Sequence, residues 1–414
     1  MTRIRTKWKR AAALTLSLVL AAGMLPTAGA ASDAVEAKLA SMTLREKVGQ
    51  LFMVRPEQLD FARTSDGKTL TAEMTENLKQ YPVGGIVLFR QNIENPDQME
   101  KLIGDYQNAS STPLLVSVDE EGGSVARLAN HKAFDLPKYE SALAVGSTGD
   151  PAQARAMGRT IGGYLKPYGF NLDFAPVADV NSNPANPVIG KRAFSSDPNT
   201  AAAMVSAAVE GFHDAGMLCT LKHFPGHGDT GEDSHLGTAT TTKTWEEMQA
   251  VEMLPFRAGI AAGVDVVMAA HITTPNVTSD GLPASMSYTI LTEKLRGELG
   301  FTGVICTDAL EMRAITDHYS ASDAAVTALN AGADILLMPA DLPAAFDGVV
   351  KAVEEGRVSE ERLNESVRRI LTLKEKAGLS LTVQAPETGS AAETQSTTPA
   401  KKPGPFGWMA QLWK

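Results

Sequence analysis

The feature that most constrains the fold is a regular alternation of short apolar runs with amphipathic helical segments between about residues 32 and 380. Runs of this length, rich in Val, Ile and Leu, are typical of buried parallel strands. They lie at residues 51–54, 85–89, 114–119, 171–175, 220–224, 266–270, 304–308 and 335–338. Between them, segments such as 198–215 repeat apolar residues at helical spacing behind the start signal Asp197-Pro198.

Eight strand–helix units predict an α/β fold: a (β/α)8 TIM-type barrel forming a single catalytic domain. A doubly wound open sheet is the alternative, but no glycine-rich dinucleotide fingerprint follows the first run. In a barrel, active-site groups gather at the carboxyl ends of the strands. The longest connections follow the third, fourth and fifth runs, and these connections hold most of the unusual polar clusters.

The two ends of the chain differ in composition from the region between them. Residues 1–30 combine five basic residues, an apolar run at 11–25 and the small residues Ala28-Gly29-Ala30, which predicts a cleaved signal peptide rather than a membrane anchor. We therefore expect a secreted protein, extracellular and in contact with the cell wall. Residues 31–380 form the predicted barrel domain, and 381–414 form a flexible linker and an aromatic tail too short to span a bilayer.

Charge and cysteine content narrow the range of partners. The net charge is −10, and because the first thirty residues carry five basic and no acidic groups, the remainder carries −15. Nucleic-acid binding is excluded, since phosphate recognition needs clustered Lys and Arg. Cys219 and Cys306 are too few for a disulfide scaffold and lie in apolar runs, so we expect buried thiols, with a single bridge left open.

The densest polar cluster spans residues 222–235, directly after the fifth run, and holds three of the seven histidines. Glycines and a proline indicate a shaped loop. A metal site is one interpretation, but the segment offers no helical His-x-x-x-His pair. A second is an acid–base dyad of Asp233 and His235, because a nearby carboxylate raises the pKa of an imidazole and fixes its tautomer. The third is a purely structural loop.

Three further clusters lie at other predicted strand ends. The run 304–308 ends in Asp308, which is either a catalytic carboxylate or the N-cap of a following helix. Residues 117–127 place Asp119, Glu120 and Glu121 before a glycine turn, where acidic groups either bind ligand hydroxyls, serve as the nucleophile, or only cap the backbone and form a solvated charge run. Residues 190–194 hold two cations. Two Asp at strand tips together with an acid–base candidate suggest glycoside cleavage.

Three motifs resemble glycoside hydrolase family 3, in its single-barrel β-N-acetylglucosaminidase (NagZ-type) branch. They are K-H-F-P-G-H-G-D-T…D-S-H from residue 222, V-D-x-E-G-G-x-V-x-R-L at 118–128, and T-D-A-L-E-M at 307–312. The resemblance runs from about residue 36 to 378 and implies a retaining mechanism. It implies Asp308 as nucleophile and His235, partnered by Asp233, as acid/base. Carried over residue by residue, it implies that the terminal sugar is held by Asp119, Arg127, Arg192, Lys222 and His223.

The implied activity is that of a retaining exo-β-N-acetylglucosaminidase (a β-N-acetylhexosaminidase), without cofactor or metal. We expect a monomer that removes terminal non-reducing β-GlcNAc from peptidoglycan fragments (muropeptides) or chitooligosaccharides. A β-N-acetylglucosaminide phosphorylase is the nearest alternative. A metal-dependent hydrolase built on the histidine cluster and a non-catalytic sugar- or cell-wall-binding protein are the others.

Overall fold

In the computed structural model, residues 31–232, 237 and 239–381 are described, and strands alternate with helices throughout them. Twelve strands occur in this part of the chain. In chain order they are β1 (Phe52–Val54), β2 (Gly85–Leu88), β3 (Leu115–Val118), β4 (Glu120–Gly122), β5 (Val125–Ala126), β6 (Leu172–Asp173), β7 (Leu218–Phe224), β8 (Ala239–Thr240), β9 (Val266–Ala269), β10 (Ile272–Thr273), β11 (Val304–Thr307) and β12 (Leu336–Leu337).

Eight of these strands form one sheet in the order β11-β9-β7-β6-β3-β2-β1-β12, and all the neighbours that pair are parallel. A parallel bridge between Cys306 and Ile335 joins the two ends, and the N–H of Thr307 donates to the carbonyl of Ile335 at 2.9 Å. The sheet is thus closed into a (β/α)8 barrel, as predicted, and the open-sheet alternative is wrong. Each of the eight predicted runs overlaps one barrel strand, and β7 begins two residues before its run.

Helices surround the barrel and run between successive strands. They are α1 (Asp33–Ser41), α2 (Leu44–Gln50), α3 (Ala72–Gln80), α4 (Pro96–Ala109), α5 (Ala142–Gly146), α6 (Pro151–Leu165), α7 (Pro198–Asp214), α8 (Trp245–Ala250), α9 (Met253–Ala261), α10 (Arg313–Thr316), α11 (Ala321–Ala331), α12 (Leu342–Glu354) and α13 (Glu360–Lys376), with a π-helix at Thr289–Glu298. The predicted start of α7 is confirmed, because the Asp197 side chain accepts the N–H of Thr200 and satisfies a free helical donor.

The barrel strands are buried on both faces, which explains their uninterrupted apolar composition. All seven residues of β7 are buried, including Lys222 and His223 near its carboxyl end. Charged side chains are rarely buried unless they are paired, so these two residues mark a site with specific partners. Cys219 and Cys306 are both buried, as predicted, and both are free, so the bridge that the sequence left open is not formed.

Residues 1–30 and 382–414, which carry the predicted signal peptide and nearly all of the predicted tail, lie outside the described residues. Within the described ranges, no helix combines the length and apolar character needed to cross a membrane.

Candidate active site

A cavity of about 310 Å³ opens at the carboxyl ends of the barrel strands. This volume lies at the lower end of the range typical of small-molecule sites. Six of the eight residues predicted from the sequence line it: Asp119, Arg127, Arg192, Lys222, His223 and Asp308. They come from the ends of β3, β5, β7 and β11 and from the connection between β6 and α7. The structure thus brings together residues that are far apart in the sequence.

One wall of the cavity is a network of paired charges. The Lys222 Nζ lies 2.7 Å from Asp119 Oδ1 and 2.7 Å from Glu121 Oε1. Arg192 binds Glu121 with two parallel contacts of 2.8 and 2.7 Å, and Arg127 Nη2 donates to Asp119 Oδ2 at 3.2 Å. Two carboxylates and three cations therefore face the cavity with their positions fixed. Such groups offer a sugar hydroxyl charge-assisted hydrogen bonds in a defined orientation.

The network keeps its members ionised despite burial. Burial by itself would raise the pKa of Asp119, but the charges of Lys222 and Arg127 outweigh it, so this pKa lies below its usual value. Burial would lower the pKa of Lys222, and the charges of Asp119 and Glu121 reverse that effect and raise it. Near neutral pH, Asp119 is therefore a hydrogen-bond acceptor and Lys222 a donor.

A tight hairpin places Arg127 back against Asp119. β4 and β5 are antiparallel, and Gly122 at the end of β4 and Gly123 in the turn that follows both have positive φ (80° and 65°). Glycine adopts this left-handed region without the steric cost that a Cβ atom brings. The chain can therefore reverse within a few residues, and the cation and the carboxylate meet.

Glu120 and Glu121 take opposite sides of this hairpin. Glu120 points away from the cavity, where its carboxylate accepts two backbone N–H groups just after β5 and the hydroxyl of Tyr164. Glu121 points inward to Lys222 and Arg192. The sequence analysis grouped Glu121 with the other acidic residues of 117–127 but did not single it out, although its spacing of two residues from Asp119 in an extended segment predicts a shared face. That alternation is the signal that could have identified it.

His223 is oriented by a carboxylate that the sequence analysis also missed. Its Nδ1 lies 2.7 Å from Asp179 Oδ2, and Asp179 also accepts the backbone N–H groups of His223 and His227. The Nε2 of His223 lies 3.4 Å from Arg192 Nη2, which can only donate. Nε2 therefore carries the lone pair and Nδ1 the proton. Asp179 lies in a long connection with no local pattern around it, so no sequence signal pointed to it.

The first part of the histidine-rich segment 222–235 is held in place by hydrogen bonds from side chains. His227 Nδ1 lies 2.7 Å from Thr230 Oγ1, and the Asn186 amide donates to the carbonyl oxygens of His227 and Thr230 at 2.8 and 2.9 Å. The predicted acid–base pair, Asp233 and His235, lies outside the described residues. The loop is again described at β8, which pairs with β10.

In the described ranges, one group of three side chains has potential metal-ligand atoms within 4.8 Å of one another: His213, Cys219 and Asp265. It lies at the amino ends of β7 and β9, opposite the cavity, and Asp265 is already paired with His213 and Lys376. The expectation that the chain needs no metal stays a prediction.

Asp308 directly follows β11 and is half-buried in the cavity wall. Its backbone N–H donates to the carbonyl of Ala269, and its Oδ1 accepts the N–H of Ala309, both at 2.8 Å. The next helix begins only at Arg313, so the alternative of Asp308 as a helix N-cap is wrong. The carboxylate is placed by the strand end and faces the site.

The backbone that carries Asp308 is held by a buried histidine. His271, just beyond β9, places its Nε2 2.9 Å from the carbonyl oxygen of Ala309, and its Nδ1 lies 2.7 Å from the hydroxyl of Ser285. A carbonyl oxygen only accepts, so Nε2 carries a proton. His271 is completely buried and thereby ties the segment after the sixth barrel strand to the peptide that follows Asp308.

The chain is similar to known proteins along most of its length. The model of the glycosyl hydrolase family 3 N-terminal domain matches residues 43–373. Beta-hexosaminidase A of Pseudoalteromonas piscicida is 38% identical over 337 residues, which are 74% of this chain and 56% of that protein. Beta-hexosaminidase of Stenotrophomonas maltophilia (strain K279a) is 39% identical over 276 residues, 66% of this chain and 81% of the relative.

Among solved structures, a glycoside hydrolase family 3 beta-N-acetylglucosaminidase from Paenibacillus sp. str. FPU-7 is 40% identical, with a TM-score of 0.77. The match covers 86% of this chain and 66% of that one. The chain thus spans less than two thirds of the length of this protein and of the Pseudoalteromonas relative. The family model matches residues 43–373, the fold is a (β/α)8 barrel, and the sequence is 39–40% identical to these family relatives, so the chain belongs to glycosyl hydrolase family 3.

Proposed function

We propose that the protein is a retaining exo-β-N-acetylglucosaminidase. The observation that carries the proposal is the cavity itself, in which the Asp308 carboxylate shares a pocket for one sugar with the network of Asp119, Lys222 and Arg192. A carboxylate beside fixed hydrogen-bond donors and acceptors is what glycoside cleavage requires. The names of the beta-hexosaminidase relatives support a hexosamine as the terminal sugar, and the name of the Paenibacillus beta-N-acetylglucosaminidase supports its N-acetyl group.

In the proposed first step, a carboxylate oxygen of Asp308 attacks the anomeric carbon, the glycosidic C–O bond breaks, and the leaving oxygen takes a proton from the protonated imidazole of His235, which becomes neutral. In the second step, that imidazole removes a proton from water, whose oxygen attacks the same carbon and releases Asp308. Asp233 orients the imidazole and stabilises its charged form. Asp119, Arg127, Arg192, Lys222 and His223 hold the hydroxyl and N-acetyl groups of the terminal sugar throughout.

The location and natural substrate are part of the proposal. The basic and apolar pattern of residues 1–30 supports export, so the protein acts outside the cytoplasm, secreted and in contact with the wall. There it acts as a monomer on chitooligosaccharides or on peptidoglycan fragments, from their non-reducing ends. Failure to release GlcNAc from both chitobiose and GlcNAc-β-1,4-MurNAc would overturn this substrate assignment.

The first test compares p-nitrophenol release from the β-N-acetylglucosaminide and the β-glucoside, with EDTA present. We expect a preference for the N-acetyl substrate, turnover unaffected by EDTA, and loss of turnover in Asp308→Ala but not in Asp105→Ala, an exposed carboxylate on α4. Adding azide to Asp308→Ala should restore p-nitrophenol release and yield the α-glycosyl azide, because azide attacks where the carboxylate did.

Three other results would contradict the proposal. Loss of activity with EDTA would favour a metal-dependent hydrolase. A phosphate-dependent yield of GlcNAc-1-phosphate would favour phosphorolysis, and a lack of any turnover combined with sugar binding would favour a binding protein.

A further inference from the structure

Phe89 directly follows β2, and its half-buried side chain lines the active-site cavity. The sequence analysis gave this residue no role beyond the end of an apolar run, and the proposed mechanism does not use it. Its backbone is fixed, because its N–H donates to the side chain of Asn92 and its carbonyl oxygen accepts the N–H of Asn92, both at 2.9 Å. The fold therefore holds an aromatic ring at a defined point of the cavity wall.

Two guanidinium groups lie over this ring. The Cζ atom of Arg127 is 5.1 Å from the ring centroid, and the Cζ atom of Arg55 is 5.8 Å from it. Both distances fall within the range of about 6 Å over which the negative face of an aromatic ring attracts a cation. Both arginines also line the cavity, so a single ring attracts two of its cationic groups.

Arg127 depends on this ring more than Arg55 does. Arg55 is ion-paired with Glu57 at 3.1 Å and with Glu311 at 2.9 Å. Arg127 has one carboxylate partner among the described residues, Asp119, and their 3.2 Å contact is the longest ion pair of the charge network. One long contact leaves a planar guanidinium free to turn, so a further group is needed to fix its orientation.

The Nε atom of Arg127 provides an independent observation. This nitrogen is buried, and no acceptor in the described part of the chain forms a hydrogen bond with it. A buried donor without an acceptor costs free energy. The face of an aromatic ring accepts an N–H weakly, and the Phe89 ring lies beside this guanidinium. The ring therefore compensates, in part, a donor that the carboxylates leave unsatisfied.

We propose that Phe89 is a positioning residue for Arg127, and that binding of the terminal sugar depends on the attraction between this ring and that guanidinium. The inference rests on the proposed function, in which Arg127 holds a polar group of the sugar. Without the ring face, the guanidinium keeps its charge and its contact with Asp119 but is less ordered. The sugar must then order the guanidinium when it binds, which weakens binding of the substrate and of the transition state alike.

The first test is Phe89→Leu, which keeps an apolar side chain and removes the aromatic face. With p-nitrophenyl N-acetyl-β-glucosaminide, we expect KM to rise about fivefold or more while kcat changes by no more than about twofold. The Ki of GlcNAc as a competitive inhibitor should rise in the same proportion, because it measures binding of the sugar without the chemical step. Phe89→Tyr keeps the ring face and should return KM to within about twofold of the wild-type value.

Phe134→Leu is the matched control, since it removes the same kind of ring elsewhere in the fold. Phe134 is buried, packs edge-on against Tyr168 with 5.6 Å between the ring centroids, and does not line the cavity. Phe134→Leu should lower the melting temperature and leave KM unchanged. An equal rise of KM in Phe134→Leu and Phe89→Leu would overturn the inference, because loss of packing alone would then explain the rise.

A double-mutant cycle with Arg127→Met separates an effect through Arg127 from direct contact between the ring and the sugar. Methionine keeps an unbranched apolar side chain without the cation. If Phe89 acts through Arg127, then in the Arg127→Met background Phe89→Leu should change kcat/KM by no more than about twofold.

An equal loss of kcat/KM in both backgrounds would overturn the inference, and so would a wild-type KM in Phe89→Leu or a Phe89→Tyr variant as impaired as Phe89→Leu. In each of these cases the wild-type protein still cleaves p-nitrophenyl N-acetyl-β-glucosaminide, so the proposed function stands. No cleavage of that substrate by the wild-type protein would overturn the proposed function and this inference with it.

Discussion

Replacing Glu121 by glutamine tests whether the charge network supports the fold as well as the site. The Glu121 side chain is 3% exposed and contacts Lys222 and Arg192, which are 2% and 16% exposed. At 2.7 Å and an effective dielectric constant of about 20, each pair is worth about 6 kcal/mol of Coulomb energy, much of it offset by desolvation. Glutamine keeps the shape but leaves two buried cations with one carboxylate fewer.

Breaking a buried pair from one side typically costs about 3–5 kcal/mol. We expect Glu121→Gln to lower the free energy of unfolding by about 3 kcal/mol, since the amide oxygen retains one hydrogen bond and Asp119 still pairs with Lys222. KM should rise together with a fall in kcat, because the two cations that orient the sugar lose their anchor. Urea denaturation followed by fluorescence, and steady-state kinetics, measure the two effects.

The matched control is Glu210→Gln on α7, which makes the same chemical change in an exposed ion pair with Arg155, with side chains 46% and 48% exposed. Exposed ion pairs contribute little to stability, so Glu210→Gln should change the free energy of unfolding by no more than about 0.5 kcal/mol. If Glu121→Gln lowers the free energy of unfolding no more than Glu210→Gln does, then the buried ion pairs do not stabilise the protein, and the reasoning from burial is wrong.

Three further predictions concern the dyad, the core and the segment behind Asp308. Asp233→Ala should lower kcat most for substrates with poor leaving groups, as measured with a series of aryl N-acetylglucosaminides. Equal losses of kcat across the series would contradict a role of Asp233 in proton donation. Burial raises the pKa of the Asp334 carboxyl, but three paired arginines outweigh it and hold that pKa below its usual value. The stabilisation is therefore present above the unfolded pKa of about 3.9 and lost as pH falls below it, so the stability difference between wild type and Asp334→Asn should shrink in acid. His271→Gln should lower kcat about tenfold or more and change KM by no more than about twofold. The reason is that the Ala309 carbonyl loses its fixed hydrogen-bond donor, so the Asp308 carboxylate shifts. A change in KM without a change in kcat would contradict this prediction.

Apolar patterning was sufficient to predict the barrel, because strands buried on both faces leave an unbroken signal in the sequence. Even the two shortest predicted runs, 51–54 and 335–338, contain barrel strands, β1 and β12. Asp119 and Asp308 were identifiable since each follows such a run directly, and position at a strand tip is itself informative.

The partners of these residues were harder to predict. Asp179 and His271 act through contacts between separate connections, with His223 and with the Ala309 carbonyl, and neither contact has a local sequence pattern. Such pairings depend on how the barrel brings different loops together. Glu121 is the exception, because its spacing of two residues from Asp119 in an extended segment predicts that the two side chains share a face.

The charge network also bears on how this protein can evolve. Asp119, Arg192 and Lys222 come from three different strand–helix units of the barrel and depend on one another through ion pairs. A substitution that alters which terminal sugar is recognised therefore also lowers the stability of the protein. A second cavity at the carboxyl face, lined by the segments after β1 and β12, is built differently, because Asp60 and Asp341 are held by turns within their own segments. Substitutions in these two segments therefore leave the barrel intact. Divergence among descendants of this sequence should therefore concentrate in the segments after β1 and β12, with recognition of the terminal sugar inherited unchanged.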